Sequence, residues 1–419
     1  MKNIFLAYMG YFLLLFNLII AQDSDLSVNF RTQPSDSSLW WIENNNYGKS
    51  YNNDELEIIW SLNNKKNFII LNISNTYDEK NKFNFGESYI KHTISDNTFL
   101  KFGLYYRDFS TYLNSDLSLG SILISNNAKP FPKIGIVSSK KINRFNFRFG
   151  MLHGKLKRNS IYTKAPSVHE KFLYMDIPME NNQSFSIGLV HEALWAGATN
   201  ELGNFPNSFK DFLKVFISAD GHDPTKPLSH ANALGSHLGI WDFAYKYNLQ
   251  SEKQFMFYYQ HIFEDTSSLR FANKIDGLWG FQFYDSINNY KILLEYLNTT
   301  NSGIDPPYQA DTYYWNYQYQ DGWKFDGKVI GNPYINPESG PRGVYGHEQL
   351  KVLHFASDFN IKNEYNILLK ASRRVHVNDS INYQISLLKR MNDKINISIS
   401  GFNGMNDSAF IFGIDYLFK

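Results

Sequence analysis

Hydrophobic and polar residues alternate with a period of two along most of the chain after residue 50. In "RFNFRFGM", Phe145, Phe147 and Phe149 are separated by polar residues. The same pattern recurs in "TFLKFGLYYR", in "KINISIS" and in the C-terminal "FIFGIDYLF". Successive side chains of a strand point to opposite faces, so this pattern predicts half-buried β-strands. We count roughly sixteen to twenty such segments, which predicts an all-β chain.

The connections between the predicted strands are of two kinds. Some are short and rich in turn residues, such as "KRMNDKI" at 389–395. Others are long and irregular, at about 196–235 and 300–345. Many alternating strands fit either a soluble sandwich or propeller, or a transmembrane antiparallel β-barrel whose apolar face meets lipid around a polar lumen. The alternation of short turns with long loops favours an outer-membrane barrel, with the turns in the periplasm and the loops outside the cell.

The N-terminus supports export to the outer membrane of a Gram-negative bacterium. "MKNIFLAYMGYFLLLFNLIIAQDSD" combines a basic residue, an apolar stretch and a small residue, and predicts a signal peptide over 1–21. No later run reaches the roughly 20 apolar residues that a membrane-spanning helix needs. We expect an irregular segment over 22–53, with no helical period, and the barrel over 54–419.

Composition narrows the classes of partner. The 41 basic and 40 acidic side chains give a formal net charge of +1, which offers no electrostatic reason to bind nucleic acid. The absence of cysteine excludes disulfides and thiolate metal sites. The 17% aromatic content is typical of surfaces at a boundary between water and hydrocarbon. We expect no cofactor and no resident metal.

One stretch resembles a protease motif but fails its geometry. "HEALW" at 191–195 nearly spells the zinc-protease signature H-E-x-x-H, yet the fifth residue is Trp195. The preceding "SFSIGL" alternates as a strand, so His191 and Glu192 point to opposite faces and cannot form the ligand pair of a helix. We therefore exclude a protease, and place Glu192 toward the lumen.

Strand alternation assigns further polar residues to the inner face of the barrel. The predicted lumen-lining residues are Glu192, Asp242, Lys246, Lys291, Glu295, His354 and Asp358. Charges in a barrel interior pair with one another and fix the register of the strands. A charge that lines a binding lumen looks the same in one sequence, so both interpretations stay open.

The long loops contain the ingredients of a carbohydrate site. Aromatic rings stack on sugar faces, while carboxylates, amides and guanidinium groups bind hydroxyls. The predicted polysaccharide-binding residues are Trp315, Asp321, Trp323, Asp326 and Arg342, with His222 and Asp223 in the earlier loop. The alternatives are an aromatic girdle beside an irregular loop and, for His222, Asp223 and His230, a metal site whose spacing matches no standard pattern.

Five ordered segments resemble the Wzi-like capsule-assembly family, in the branch found in Bacteroidetes-type bacteria. They are "GLVHEALWAG", "GSHLGIWDFAYKY", "YYQHIFEDTSSLRFANKIDGLWGFQF", "LLEYLNTTNSG" and "YYWNYQYQDGWKFDGKVIGNP", from about residue 140 to 360. The resemblance implies an outer-membrane barrel of about eighteen strands. It also implies a lectin-like, non-catalytic role in associating capsular polysaccharide with the cell surface, with outer-membrane lipid and the capsule export machinery as partners. The best-studied members of that family carry a helical periplasmic region before or between the first strands, which we expect to be absent or reduced here.

Two other functions are compatible with such a barrel. A porin-like channel would use the charges of the lumen to select small polar solutes. An outer-membrane enzyme would need a nucleophile or a pair of acids, and the sequence contains no G-x-S-x-G or Walker motif. We therefore expect no catalysis.

Overall fold

The computed structural model of the chain describes most of the 419 residues. The described ranges are 24–32, 39–49, 54–76, 82–107, 116–221, 233–249, 252–302, 311–335, 337, 349–375, 381–404 and 407–418. The predicted signal peptide lies outside these ranges, as do His222, Asp223, His230 and Arg342.

Eighteen antiparallel strands close into a barrel. In chain order, β1 to β18 are Ser24–Thr32, Glu55–Asn63, Asn67–Thr76, Ser88–Ser95, Thr98–Leu104, Pro132–Ile142, Phe145–Lys155, Ser167–Pro178, Gln183–Trp195, Ser236–Leu249, Lys253–Phe263, Gly277–Asp285, Tyr290–Asn298, Lys351–Ile361, Tyr365–Arg374, Asn382–Arg390, Ile395–Asn403 and Ser408–Phe418. Each strand pairs with its neighbours in sequence, and β1 pairs with both β2 and β18. The prediction of an antiparallel barrel of about eighteen strands is confirmed.

The first strand corrects the prediction of an irregular segment over 22–53. Leu26, Val28 and Phe30 alternate with polar residues in β1, and this strand lies between β2 and β18 to close the ring. The barrel therefore begins at Ser24, not at residue 54. The physical reason is that a barrel removes its open edges only when its first and last strands meet.

Short elements occupy the connections between barrel strands. The helices are α1 (Trp40–Glu43), α2 (Phe209–Phe216) and α3 (Thr266–Leu269). The short strands are Lys82–Phe85, Tyr162–Lys164, Ala198–Thr199, Gly203–Asn204, Lys324–Phe325 and Lys328–Val329. Within the described ranges, no helix has the length and apolar character needed to cross a bilayer.

The outer face of the barrel carries large apolar side chains at alternate positions. In β18, Phe410, Phe412 and Ile414 are 52%, 44% and 50% exposed, while Ile411 and Gly413 between them are buried. Apolar residues in contact with lipid are favourable, whereas the same residues in water would be a liability. The outer face therefore suits the hydrocarbon region of a membrane.

The two ends of the barrel differ in the length of their connections. At one end the strands are joined by tight turns, such as 143–144 between β6 and β7 and 362–364 between β14 and β15. At the other end the connections include 105–131, 196–235 and 299–350. Outer-membrane barrels place short turns in the periplasm and long loops outside, so the second end is extracellular.

Candidate functional site

Three segments from the extracellular end fold into the barrel, and we call them together the plug. They are residues 39–49, 116–131 and 311–335, and much of each is buried. The plug contains α1, and Trp40 in this helix stacks on Tyr334 with ring centroids 4.2 Å apart. The plug belongs to the connections β1–β2, β5–β6 and β13–β14, so residues distant in sequence meet inside the barrel.

Inward-facing residues of three strands hold the middle segment of the plug. Ser118 Oγ and the Leu119 amide each donate to the carboxylate of Glu295 on β13, both at 2.6 Å. The Ile122 amide donates to Gln260 Oε1 on β11 at 3.0 Å. His354 on β14 donates from Nε2 to the Leu117 carbonyl oxygen at 2.6 Å. A loop buried in a barrel needs such partners for its backbone, because water cannot satisfy it there.

The plug segments also bind one another through backbone groups. Asn332 Nδ2 donates to the Gly120 carbonyl at 2.6 Å, and Asn127 Nδ2 donates to the Val329 carbonyl at 2.9 Å. The Tyr47 amide donates to the Asn126 carbonyl at 2.6 Å. The three segments therefore form one hydrogen-bonded body.

A carboxylate at the extracellular end of β11 fixes the start of the third plug segment. Glu264 accepts hydrogen bonds from the backbone amides of Thr312 at 3.1 Å and Tyr314 at 2.9 Å. Its burial, together with the charge of Asp311, raises the pKa of Glu264 well above its usual range. Burial and the charge of Asp265 likewise raise the pKa of Asp311 to about 7. The sequence does not predict this acidic group, because its members come from separate loops.

A buried charge network lies on the wall beside the plug. Arg107, which follows β5, forms ion pairs with Glu170 on β8, at 3.2 Å from Nε to Oε1, and with Glu192 on β9. Glu170 and Glu192 are directly opposite each other in the strand register, and both are almost fully buried. Two facing carboxylates in a low-dielectric site repel each other, and the guanidinium between them offsets this. Asp242 accepts a hydrogen bond from the Tyr174 hydroxyl at 2.6 Å nearby on β10.

The predicted lumen-lining residues fall into two groups by height. Glu192, Asp242, Glu295 and His354 are buried in the part of the barrel that the plug fills. Lys246, Lys291 and Asp358 lie within four residues of the periplasmic ends of their strands and are partly or fully exposed. Lys291 and Asp358 are direct partners in the register of β13 and β14. The first group thus lies inside the filled part of the barrel, whereas the second group faces the part of the lumen that is open to solvent.

A two-residue turn carries one of the predicted polysaccharide-binding residues to the extracellular surface. Lys324–Phe325 and Lys328–Val329 pair as a hairpin, whose tip is Asp326 with φ 53° and Gly327 with φ 82°. Positive φ at both positions is the requirement of a type I′ turn, which Asp-Gly meets. The sequence "FDGK" therefore dictates the turn and leaves the Asp326 carboxylate at its tip.

Two ammonium groups hold the Asp326 carboxylate. Lys129 Nζ lies 3.0 Å from Asp326 Oδ2, and Lys157 Nζ lies 2.9 Å from Asp326 Oδ1. Partial burial acts to raise the pKa of Asp326, but the hydrogen bonds from Lys157 and Lys129 outweigh it, so the pKa is lowered. Asp326 therefore stays ionised at neutral pH. The sequence does not predict Lys129 and Lys157, since nothing around them points to a partner so distant along the chain.

The β7–β8 connection also binds the second predicted carboxylate of this loop. Asn159 Nδ2 donates to Asp321 Oδ2 at 2.6 Å. Burial raises the pKa of Asp321, and the bond from Asn159 opposes this. Asp321 and Asp326 are thus both bound by the segment that contains Lys157 and Asn159, which places them at one mouth of the barrel.

The two tryptophans predicted to bind polysaccharide are buried, unlike the two carboxylates at the mouth. Trp323 is 1% exposed and Trp315 is 9% exposed, so neither presents a ring face to the medium. The Trp323 amide donates to the Tyr314 carbonyl at 2.9 Å inside the plug. The prediction that these rings form a platform for sugars is corrected for this structure: they are part of the plug core. Aromatic residues in a polar loop satisfy the hydrophobic requirement of the plug as readily as that of a ligand.

Among solved structures, this barrel is similar to an outer-membrane protein of known description. The Escherichia coli protein is Wzi, described as an outer membrane protein involved in group 1 capsule assembly and a carbohydrate-binding β-barrel. The TM-score is 0.64 at 13% sequence identity, covering 96% of this chain and 86% of that chain. At this identity the likeness shows the fold.

Two other solved structures cover the chain about as fully but have lower TM-scores. The Pseudomonas aeruginosa protein OccK5 (OpdH) has a TM-score of 0.47 at 10% identity, covering 94% of this chain and 98% of that chain. The Acinetobacter baumannii protein OccAB2 has the same TM-score and identity over 94% of this chain and 98% of that chain. No curated protein sequence matches the chain significantly.

The sequence itself gives the family. The profile described as capsule assembly protein Wzi matches residues 27–337, which is well over half of the chain and includes two thirds of β1, all of β2 to β13 and the three plug segments. The resemblance of the five ordered segments is confirmed by this match. This outer-membrane β-barrel therefore belongs to the Wzi family of capsule assembly proteins.

Proposed function

We propose that this barrel binds capsular polysaccharide noncovalently at its extracellular mouth and so anchors the polymer at the cell surface. Membership of the capsule assembly family supports the choice of ligand. The description of the Escherichia coli protein as a carbohydrate-binding barrel supports binding as the activity. In this proposal the barrel breaks no bond of the polysaccharide. The capsule export machinery supplies the polysaccharide to the barrel.

The observation that carries the proposal is the plug, together with the polar groups that it presents outward. The hairpin tip at Asp326, with Lys129 and Lys157, offers a carboxylate and two ammonium groups at one place. Asp321 and Asn159 add an acceptor and an amide beside the same connection. Such groups bind sugar hydroxyls and carboxylates, and repeated weak contacts along one polymer give avidity.

A channel for small polar solutes is less well supported. A porin needs a continuous polar passage, and here the described plug residues fill the extracellular part of the lumen and are bound to its wall. The exposed charges Lys246, Lys291 and Asp358 line only the periplasmic part. The plug therefore favours a surface that binds from outside over a pore.

The test is the binding of purified protein in detergent to an array of bacterial surface polysaccharides. The variant combines Asp326→Asn with Lys157→Gln, and its matched control combines Asp358→Asn with Lys291→Gln, which changes the same charges at the periplasmic end. We expect saturable binding by the wild type and the control, and binding at least about tenfold weaker by the mouth variant. Binding by none of the proteins, with ion current across a planar bilayer, would overturn the proposal in favour of a channel.

A Trp323→Ala variant is a poorer test of this site. Its ring is part of the plug core, so the change alters the plug whether or not the ring ever contacts sugar. The Asp326 and Lys157 side chains are 33% and 57% exposed, so their replacement leaves the plug core intact.

A further inference from the structure

Helix α2 lies against the outer wall of the barrel, near the extracellular ends of β7, β8 and β9. Phe212 contacts the outward-facing rings of His169 and Trp195, with centroids 5.2 Å away in each case. Lys171 on β8 donates from Nζ to the carbonyl oxygen of Phe216 at the end of the helix. The helix is therefore fixed on the outer face of the barrel, at the extracellular ends of these strands.

The end of α2 is fixed by a second contact to the same wall. Ser218 Oγ lies 3.2 Å from Nε2 of His191, and the same nitrogen lies 2.8 Å from Nδ1 of His237. At the start of the helix, Ser208 and Asp211 form a capping box. Both ends of the helix are thus satisfied, so its position does not depend on a further partner.

The side chains of α2 point in three directions. At about 100° per residue, Phe212, Val215 and Phe216 share the side that packs on the wall. Phe209, Leu213 and Ile217 form an adjacent apolar stripe and are 75%, 48% and 70% exposed. The charged residues of the helix occupy the remaining arc; they are Lys210, Asp211 and Lys214.

This arrangement is that of a helix lying in a membrane interface. An interfacial helix turns an apolar stripe to the acyl chains and a basic face to the headgroups and water. On this barrel the wall takes the third side, which leaves the apolar stripe for lipid. The carboxylate of Asp211 accepts hydrogen bonds from Ser208. Among the described residues, Lys210 and Lys214 have no acidic partner, so both can bind an anion.

An apolar recess opens beside the first turn of α2. It has a volume of about 490 Å³ between the helix and the outer wall. Phe209 and Phe212 line it from the helix, and lipid-facing Ile134, Ile136 and Met151 line it from β6 and β7. A groove with apolar walls on the membrane face of a barrel fits an acyl chain.

We propose that α2 and this recess form a binding site for a phosphorylated, acylated glycolipid of the outer leaflet. An acyl chain occupies the recess beside Phe209, and Lys210 and Lys214 bind the phosphate of the headgroup. Charge decides between this ligand and a neutral lipid, because two ammonium groups lie beside the apolar stripe and the carboxylate of Asp211 is already engaged. The site is on the outer wall, so it does not depend on polysaccharide binding at the mouth.

The first experiment measures the depth of the helix in the membrane. The chain contains no cysteine, so Leu213→Cys and, as a control in the loop above, Glu201→Cys each give one site for a fluorescent label. In vesicles, we expect the label at position 213 to be quenched by nitroxides on the acyl chains and the label at position 201 by aqueous iodide. Equal quenching of both labels by iodide would overturn the proposal. Disulfide-linked dimers of the unlabelled Leu213→Cys variant would overturn it in favour of a second copy of the chain.

The second experiment tests the phosphate. Binding of lipid A with two phosphates is compared with binding of dephosphorylated lipid A by native mass spectrometry of the purified barrel. We expect Lys210→Gln with Lys214→Gln to weaken binding of the phosphorylated lipid about 25-fold, at about fivefold for each lysine. The control, Lys362→Gln with Lys394→Gln in the periplasmic turns, should bind as the wild type does. Equal affinity of the wild type for both lipids would overturn the assignment of the ligand.

Discussion

Glu295→Ala should release the plug from the wall of the barrel. The Glu295 carboxylate accepts hydrogen bonds from Ser118 Oγ and the Leu119 amide, both at 2.6 Å, and from the Tyr258 hydroxyl. The substitution leaves all three donors buried without this acceptor. Since residues 116–131 are bound to the other plug segments, loosening this contact weakens the whole plug.

The magnitude follows from the number and kind of bonds lost. A hydrogen bond to a charged group contributes about 1.5–3 kcal/mol, so three bonds give an upper limit of about 5–9 kcal/mol. Removal of a buried carboxylate recovers several kcal/mol of its desolvation penalty. We therefore expect the plug to lose about 3 kcal/mol, which raises the equilibrium constant for its release about 100-fold.

Hydrogen exchange and single-channel recording measure this release in two ways. The amides of residues 117–124 should exchange about 100-fold faster in Glu295→Ala than in the wild type. In a planar bilayer, the variant should show open events of measurable conductance at a frequency well above that of the wild type. The control is Asp358→Asn, which removes a lumen carboxylate below the plug and should change neither measurement.

One result would refute this reasoning. If Glu295→Ala folds into a heat-modifiable barrel but its residues 117–124 exchange at the wild-type rate, then Glu295 does not hold the plug. The conductance alone is a weaker criterion, because other plug contacts can keep the passage closed after one of them is lost.

Three further predictions concern the buried charges and the hairpin. The pKa of Asp311 is raised to about 7 from 3.8, so between these values the folded state binds a proton that the unfolded state has released, and the stability of the fold falls as the pH rises. Asp311→Asn should therefore reduce the loss of Tm between about pH 4 and 7. Arg107→Gln leaves Glu170 and Glu192 facing each other and should cost about 3–5 kcal/mol, measured by denaturant unfolding in detergent, whereas an unchanged midpoint would show that the guanidinium does not stabilise this pair of carboxylates. Gly327→Ala places a side chain at φ 82° and should cost about 1 kcal/mol, measured in the same way, with a small drop in the affinity for polysaccharide at the mouth.

The barrel could be predicted from the sequence because its signal is local. Strand alternation assigns each side chain to one face, and this is enough to place residues such as Asp242 and Glu295 toward the interior. β1 carries the same signal in Leu26, Val28 and Phe30, but three apolar residues beside a polar segment are too few to identify a strand. Its role follows only from its pairing with β18.

The plug could not be predicted, because its contacts join residues far apart in sequence. Ser118 and Glu295 are 177 residues apart, and no period or motif links them. Composition also cannot predict the role of Trp323. An aromatic residue in a loop looks the same in the sequence whether its ring contacts a sugar or packs in a buried core. The Asp-Gly turn is different: its chemistry is local, so the position of Asp326 at a tip follows from two residues.

The pairing of β1 with β18 has a consequence for how the barrel is made. Leu26 is paired with Phe418, so the last seam of the ring joins residues from opposite ends of the described chain. Contacts of such long separation form slowly, and until they form, both strands are open edges that can pair with other chains. The time between synthesis and closure is therefore when this protein is most prone to aggregation, and a helper that shields these two edges would protect it most.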